Sequence, residues 1–481
     1  MTAEAAMRPL LLLPEIVVFV GGLAALLAGS FLARRRQWIT RVVAGVALVS
    51  AAVLAAIALA GSDLMAFEGT FRVDTATGVA RLVACLGTLA ALGLAADELA
   101  DSPRESESYA LLLFSTTGAL VLAGAEDLLV LGAGFLLTSI PLYGLIGMAR
   151  TGRGAEAAMK TYLLGALFGI LLLAGVTVLY GVTGTTTYAE LPDRLAAAPA
   201  GAVAAGTIGL LAGLLFEAGG VPAHFWVPDA AQGAGGAVAA FLTTIPKIGA
   251  LLATYRLVAL LPGTLDWPVF VGVLAAASMT LGNLAAYWQQ DPRRLLGWST
   301  VSQVGFLLVP VAVAGASPLA LPSLLLYLAG YTVTNLGAFA VSTALPDRRE
   351  LASYQGLGRA RPWLGTSLVV TLLGLVGTPP TVVFVGKLTT ATAAWDAGLA
   401  WLTVLVVLNS LLSLFYYLRW IEPVYASGRS REEAGEEAAE EAGEAAFVVR
   451  PWSARIAVAA ALLSVALGIG AGPLWAVVTG R

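Results

Sequence analysis

The chain has 481 residues, of which 58% are hydrophobic and 12% charged, with a formal net charge of −3 and a single cysteine; its mean hydropathy is +0.85. An ordinary soluble domain carries about 25% charged residues, and a water-soluble core cannot absorb this excess of apolar side chains. The lone Cys85 excludes an internal disulfide and any cysteine-rich zinc or iron–sulfur site, while a small net charge held in loops says little about partners.

In chain order, apolar runs are predicted to span a bilayer near 10–32, 41–61, 78–98, 108–125, 127–149, 160–182, 203–222, 235–260, 268–288, 299–315, 321–345, 365–395, 400–421 and 454–476. A hydrocarbon core ~30 Å thick needs about 20 helical residues to cross it. Open sheet edges leave peptide groups unpaired in lipid, and these runs do not alternate as barrel strands would. The expected fold class is therefore an all-α polytopic membrane protein of about 14 transmembrane helices. The first run follows one arginine, has no clear cleavage site, and reads as a retained span instead of a signal peptide.

Basic residues concentrate in the loops after odd-numbered spans: Arg34, Arg35, Arg36 and Arg41, then Arg150, Arg153, Arg293, Arg294, Arg348, Arg349, Arg359, Arg361, Arg429, Arg431 and Arg450. The opposite loops hold few, such as Arg72 and Arg194. The positive-inside rule then puts the basic loops in the cytoplasm and both termini outside, in a cell membrane. The acidic loop from Asp97 to Glu107 goes against this trend, and the glutamate-rich stretch 427–446 reads as a solvated linker without chemistry.

Two spans are interrupted at corresponding places, at Gly219, Gly220 and Pro222 in the seventh and at Gly377, Pro379 and Pro380 in the twelfth. Proline removes a helix hydrogen bond and glycine loosens the backbone. Breaks five spans apart suggest two inverted five-helix repeats, an arrangement found in ion-translocating folds. The expected organisation is 1–107 for spans 1–3, 108–260 for the first repeat, 268–421 for the second, the acidic loop 427–446, and 454–481 for the last span.

Ionisable residues deep in a span cost about 2.5–3.5 kcal/mol each on insertion scales, so each needs a partner, a water cavity or a function. Those expected deep inside are Glu217, Lys247 and Lys387, with His224 just past the first break. Titratable groups beside backbone freed by a break, where water can be held, are candidates for a proton relay. For His224 a hydrogen-bonded structural role stands equally beside relay membership, and for the two lysines the alternative is a buried ion pair between helices. Glu15 reads as an anchor to a neighbour or to the interface, Glu126 and Asp127 as an interfacial pair, and Tyr327, Tyr331 and Asn335 as one polar helix face that packs against other spans.

The segments LLPEI, ESYALLLFSTTG, EAAMKTYLLGALFG, GVPAHFWVPDAAQGA, QQDPRRLLGWSTVSQVG, YLAGYTVTNLGAF and GTPPTVVFVGK occur in an order and spacing that resembles the subunit N family of bacterial respiratory complex I, within the antiporter-like membrane superfamily. The resemblance implies a fourteen-helix membrane-arm subunit through which protons move along a hydrophilic axis. It also implies that other subunits hold the flavin, iron–sulfur clusters and quinone and pass the electrons. By motif position Lys247 matches the family's central channel lysine and Lys387 its exit-side lysine, while His224 and Trp226 match an HxW pattern. Two positions depart from the family: Leu136 stands where a fifth-span glutamate precedes the SxP of Ser139 and Pro141, and Glu217 stands where the seventh span carries a lysine.

The two departures are physically consistent, since a glutamate at 217 could pair with Lys247 and form the proton-loading pair itself. No redox cofactor is expected in this chain, whose sequence has neither a cysteine cluster nor a GxGxxG following a strand. Three functions are open at this point: a non-redox, proton-translocating subunit of an NADH:quinone oxidoreductase, a subunit of a cation/proton antiporter complex, and a structural spacer with an impaired channel. Neighbouring membrane subunits and the bilayer are the expected partners.

Overall fold

The computed structural model describes residues 7–426 and 448–479, apart from Ala60, Ser62, Asp101 and Thr264, so the acidic stretch 427–446 lies outside the described residues. Thirteen helices are long and apolar enough to cross a bilayer. A fourteenth crossing is built from two halves, Pro362–Val376 and Val382–Asp396. In order, spans 1 to 6 are Leu13–Phe31, Trp38–Ala58, Thr75–Glu98, Glu105–Gly124, Leu128–Gly147 and Gly152–Thr183. Span 7 is Ala200–Ala218 with a second half Trp226–Gly233, and span 8 is Gly236–Leu242 followed by Ile245–Ala259. Spans 9, 10 and 11 are Trp267–Ala286, Pro292–Ala312 and Ala320–Ala344; spans 13 and 14 are Ala400–Tyr425 and Pro451–Ile469, with Ala471–Thr479 beyond.

Spans 8, 10 and 11 are almost wholly enclosed, whereas spans 1, 2, 6, 13 and 14 turn most of their apolar surface outward. That outward surface suits hydrocarbon or a neighbouring membrane protein, neither of which demands polar groups. Span 6 starts eight residues before its expected boundary because Thr151 accepts the Gly154 N–H and caps the helix, so Lys160 lies two turns inside the helix and not at its start.

A short antiparallel hairpin, β1 Leu64–Ala66 and β2 Phe71–Val73, joins spans 2 and 3. It lies in a loop, where the argument against strands in lipid does not apply. Arg256, at the end of span 8, ties this region down by bonding Glu126 and Asp74 at 2.8 Å each and Thr77 at 2.9 Å. Asp127, beside Glu126 at the start of span 5, caps that span by accepting from Leu129 and Val130.

Burial alone pushes the Asp74 carboxyl upward, but the Arg256 charge and the bonds from Thr77 and Arg256 outweigh it and hold the group below its usual range. A depressed folded value means the stabilisation is complete above the unfolded value of about 3.9 and is lost as pH falls through the folded one. Asp74→Asn is therefore expected to melt below the parent at neutral pH, with the gap closing on acidification below about pH 3.9. A gap that persists unchanged into acid would refute this account.

Candidate functional site

Both interrupted spans break in the same way. The first half of span 7 ends as the Gly219 N–H bonds Phe216 O at 3.1 Å and the Gly220 N–H bonds Leu215 O at 2.9 Å. In span 12 the Gly377 N–H bonds Gly374 O at 2.9 Å and the Thr378 N–H bonds Leu373 O at 3.1 Å. This is the Schellman closure, and it needs a left-handed residue at its turn. Gly219 has φ 82° and Gly377 φ 90°, a region that side chains with a Cβ rarely enter. A cis proline follows three residues on in each, Pro222 and Pro380.

Such an ending leaves the last helical carbonyls without partners in a place where water is scarce, at the negative end of the helix dipole. A lysine meets them in both breaks. Lys247 Nζ, from span 8, donates to Glu217 O at 2.9 Å. Lys387 Nζ, from the second half of span 12, donates to Leu375 O at 3.2 Å and Val376 O at 2.9 Å. Glu217 and Leu375 occupy equivalent positions, two before the left-handed glycine. Each ammonium also rests on an aromatic face, Lys247 at 4.6 Å from the Trp226 ring and Lys387 at 3.8 Å from that of Phe306.

The expected Glu217–Lys247 pair is therefore corrected in its geometry. The two residues meet, but through the backbone carbonyl of Glu217. Its carboxylate turns to the Ser139 hydroxyl in span 5, which donates to Oε2, while Oε1 has no partner. Among the described residues no carboxylate lies within ion-pair distance of either lysine, so the buried ion pair is not the arrangement found. Leu136 is 39% exposed and faces away from the interior.

His224 is buried in the first break but does not join Glu217. The left-handed turn at Gly219 redirects the chain between them, so no continuous helix carries both residues. Its ring packs against Phe225 and Trp298, with centroids at 4.2 and 5.6 Å, and no side chain hydrogen-bonds it. The other half of the HxW pattern, Trp226, has a plainly structural role, since its Nε1–H donates to Phe216 O at 3.0 Å and holds the two halves of span 7 together.

Between the lysines lies a file of enclosed polar side chains, half of which the sequence pattern does not single out. Span 8 is irregular at Thr243 and Thr244, one turn before Lys247. Tyr331 OH donates to Thr243 O at 2.6 Å and lies 3.2 Å from Thr300 Oγ1, while Asn335 Nδ2 donates to Thr243 Oγ1 at 3.0 Å. One turn along, Tyr327 OH donates to Gln303 Oε1 at 2.5 Å, and Gln303 Nε2 donates at 2.8 Å to Leu375 O, the carbonyl that Lys387 also holds. The Tyr327, Tyr331 and Asn335 face is thus part of the file. A glutamine deep inside the apolar run of span 10 is the available signal for Gln303.

On the basic face, a polar cavity of about 690 Å³ opens where span 7 turns into span 8, lined by Glu98, Arg153, Gln232, Arg293 and Arg349 among others. Glu98 Oε1 and Oε2 accept from the Gly236 and Ala237 N–H groups at 2.9 Å each, capping span 8. The arrangement offers titratable groups, hydroxyls and an amide in a row across the middle of the bundle. Among the described residues no three His, Cys, Asp or Glu side chains are grouped to hold a metal.

Residues 125–413 match the family model described as NADH:quinone oxidoreductase/Mrp antiporter, transmembrane. The chain is 64% identical over 479 residues to NADH-quinone oxidoreductase subunit N of Mycobacterium sp. (strain JLS), covering 100% of each. Among solved structures it superposes on a chain of respiratory complex I from Thermus thermophilus with TM-score 0.81 and 31% identity, covering 96% of this chain and 98% of that one. A chain of the Mrp complex from Dietzia sp. DQ12-45-1b gives TM-score 0.81 at 26% identity, covering 100% and 97%.

Proposed function

The chain belongs to the NADH:quinone oxidoreductase/Mrp antiporter membrane family and to its subunit N branch, and from that premise we propose that it is a proton-translocating membrane-arm subunit of an NADH:quinone oxidoreductase. Other membrane-arm subunits are its partners, and the flavin, clusters and quinone belong to the rest of the assembly. Spans 4–8 and 9–13 act as two inverted repeats, spans 1–3 and 14 flank them, and the basic loops face the cytoplasm of a plasma membrane, with both termini outside.

One observation carries this reading: two ammonium groups sit on carbonyls freed by matching helix breaks, and two hydrogen-bonded clusters one turn apart, Thr243–Tyr331–Thr300 and Tyr327–Gln303–Leu375 O, lie between them. A structural cation would be expected beside a carboxylate, because burying an unpaired charge is expensive. Here each charge is held only by backbone carbonyls and an aromatic face, so it can be gained and lost without dismantling an ion pair. Glu217 and Lys247 load the proton, the file through Thr243, Tyr331, Gln303 and Tyr327 passes it, and Lys387 delivers it. His224 lines the break and acts on its hydration.

The test uses the native assembly, purified through this chain and reconstituted with an interior pH dye. Mass spectrometry is expected to find quinone-reductase subunits alongside it, and NADH is expected to drive proton movement. Lys387→Met should lower the initial rate of that movement at least about 10-fold in assembled complex, a floor set below the ~10²–10⁴-fold that a proton-transfer group contributes. Unchanged pumping would reduce the chain to a spacer, and the absence of quinone-reductase partners would favour the antiporter-complex reading instead.

A further inference from the structure

We propose that the cleft between spans 3, 11 and 14 is a binding site for an anionic phospholipid, with one acyl chain lying in the cleft and the phosphate at its basic end.

The cleft is about 460 Å³ in volume and its walls are apolar, with Val79, Leu86 and Ala90 from span 3, Leu326 and Val333 from span 11, and Leu463 from span 14 among them. From Val79 to Ala90 span 3 rises about 16 Å at 1.5 Å per residue. An extended acyl chain can lie along that length, and it asks nothing polar of the walls.

The charge at one end selects the kind of lipid. Leu86, Ala90 and Ile456 line both this cleft and a second one of about 450 Å³, which continues it toward the basic face and opens beside Arg41 and Trp452. Arg41 is anchored by a 3.4 Å bond from Nη1 to Ala96 O in the last turn of span 3. The guanidinium of Arg455 lies 5.1 Å from the Trp452 ring centroid. Of the nearby acids, Asp97 is engaged by the N–H and hydroxyl of Ser453, and Glu105 accepts the Tyr109 hydroxyl at 2.8 Å. Two guanidiniums and an interfacial tryptophan at the mouth of an apolar slot suit a phosphate whose acyl chain runs inward. An isoprenoid quinone offers the guanidiniums no anionic group, and a zwitterionic headgroup sets its own cation beside them.

The experiment uses the intact complex in bilayer nanodiscs with a diazirine-tailed phosphatidylglycerol, and the same probe built on phosphatidylcholine. Photolysis followed by peptide mass spectrometry is expected to label spans 3 and 14 with the anionic probe several-fold more than with the zwitterionic one. Arg41→Gln with Arg455→Gln should erase that preference. Ala90→Phe, which fills the junction of the two clefts, should reduce labelling by both probes. Equal labelling by the two probes in the parent complex overturns the proposal, whatever the variants do. So does a cross-link from Ala90 to a neighbouring subunit, or recovery of quinone in place of phospholipid from the labelled site.

Discussion

Lys247→Met is expected to stop proton translocation while leaving the complex assembled. Methionine has nearly the same length and apolar character as the lysine stem, so the packing against Trp226 survives. What disappears is the ammonium that donates to Glu217 O at 2.9 Å, the one titratable contact between span 8 and the break in span 7. The initial rate of proton movement should fall by at least about 10-fold, a floor set below the ~10²–10⁴-fold that a proton-transfer group contributes. Lys247→Arg separates two explanations. A guanidinium can cap a carbonyl but does not give up its proton in a protein. If the charge merely closes the helix end, arginine restores function; if the side chain must exchange a proton, arginine fails as methionine does. Rescue by arginine in reconstituted vesicles would remove Lys247 from the relay.

The second large effect concerns stability. Arg81 in span 3 is fully enclosed and grips Glu15 of span 1 through Nε at 2.7 Å and Nη2 at 2.8 Å, with a further bond from Nη2 to Leu11 O at 2.9 Å. Removing one partner of such a pair strands the other in a medium that cannot solvate it, at a cost of about 3–5 kcal/mol. Arg81→Leu should therefore sharply lower both the melting temperature and the amount of assembled complex. The double replacement Glu15→Leu with Arg81→Leu removes the stranded carboxylate and should recover most of the loss, because an apolar pair of similar volume is about as stable there. A double variant no better than the single one would show that the pair supplies more than mutual neutralisation.

The spans and the two breaks were legible because their causes are local. Twenty apolar residues in a row answer to bilayer thickness, and Gly219 with Pro222, or Gly377 with Pro380, answers to backbone sterics. Lys247 and Lys387 stood out for the same reason, as charges in apolar runs. Their partners did not. A charge invites a search for an opposite charge, which led to the Glu217 carboxylate, whereas the helix breaks had created carbonyl acceptors that no residue letter displays. Arg81 was absorbed into an otherwise apolar run, and its role emerges only when span 1 brings Glu15 alongside, sixty-six residues away. Thr243 and Thr300 read as ordinary small residues of a packed span, and only the crossing of spans 8, 10 and 11 at Tyr331 shows them to be part of one file.

The carboxylate of Glu98 reaches from the end of span 3 to the first two amides of span 8, and Arg450 stands 3.8 Å away at the start of span 14. The span bearing Lys247 is thus pinned at its foot, in the half before Thr243, by a side chain from the leading trio of spans, which in turn is latched to the trailing one. Any sideways displacement of that outer trio would tug on the base of the lysine's span. The flanking helices are in this way a lever on the proton-carrying centre as well as its wrapping.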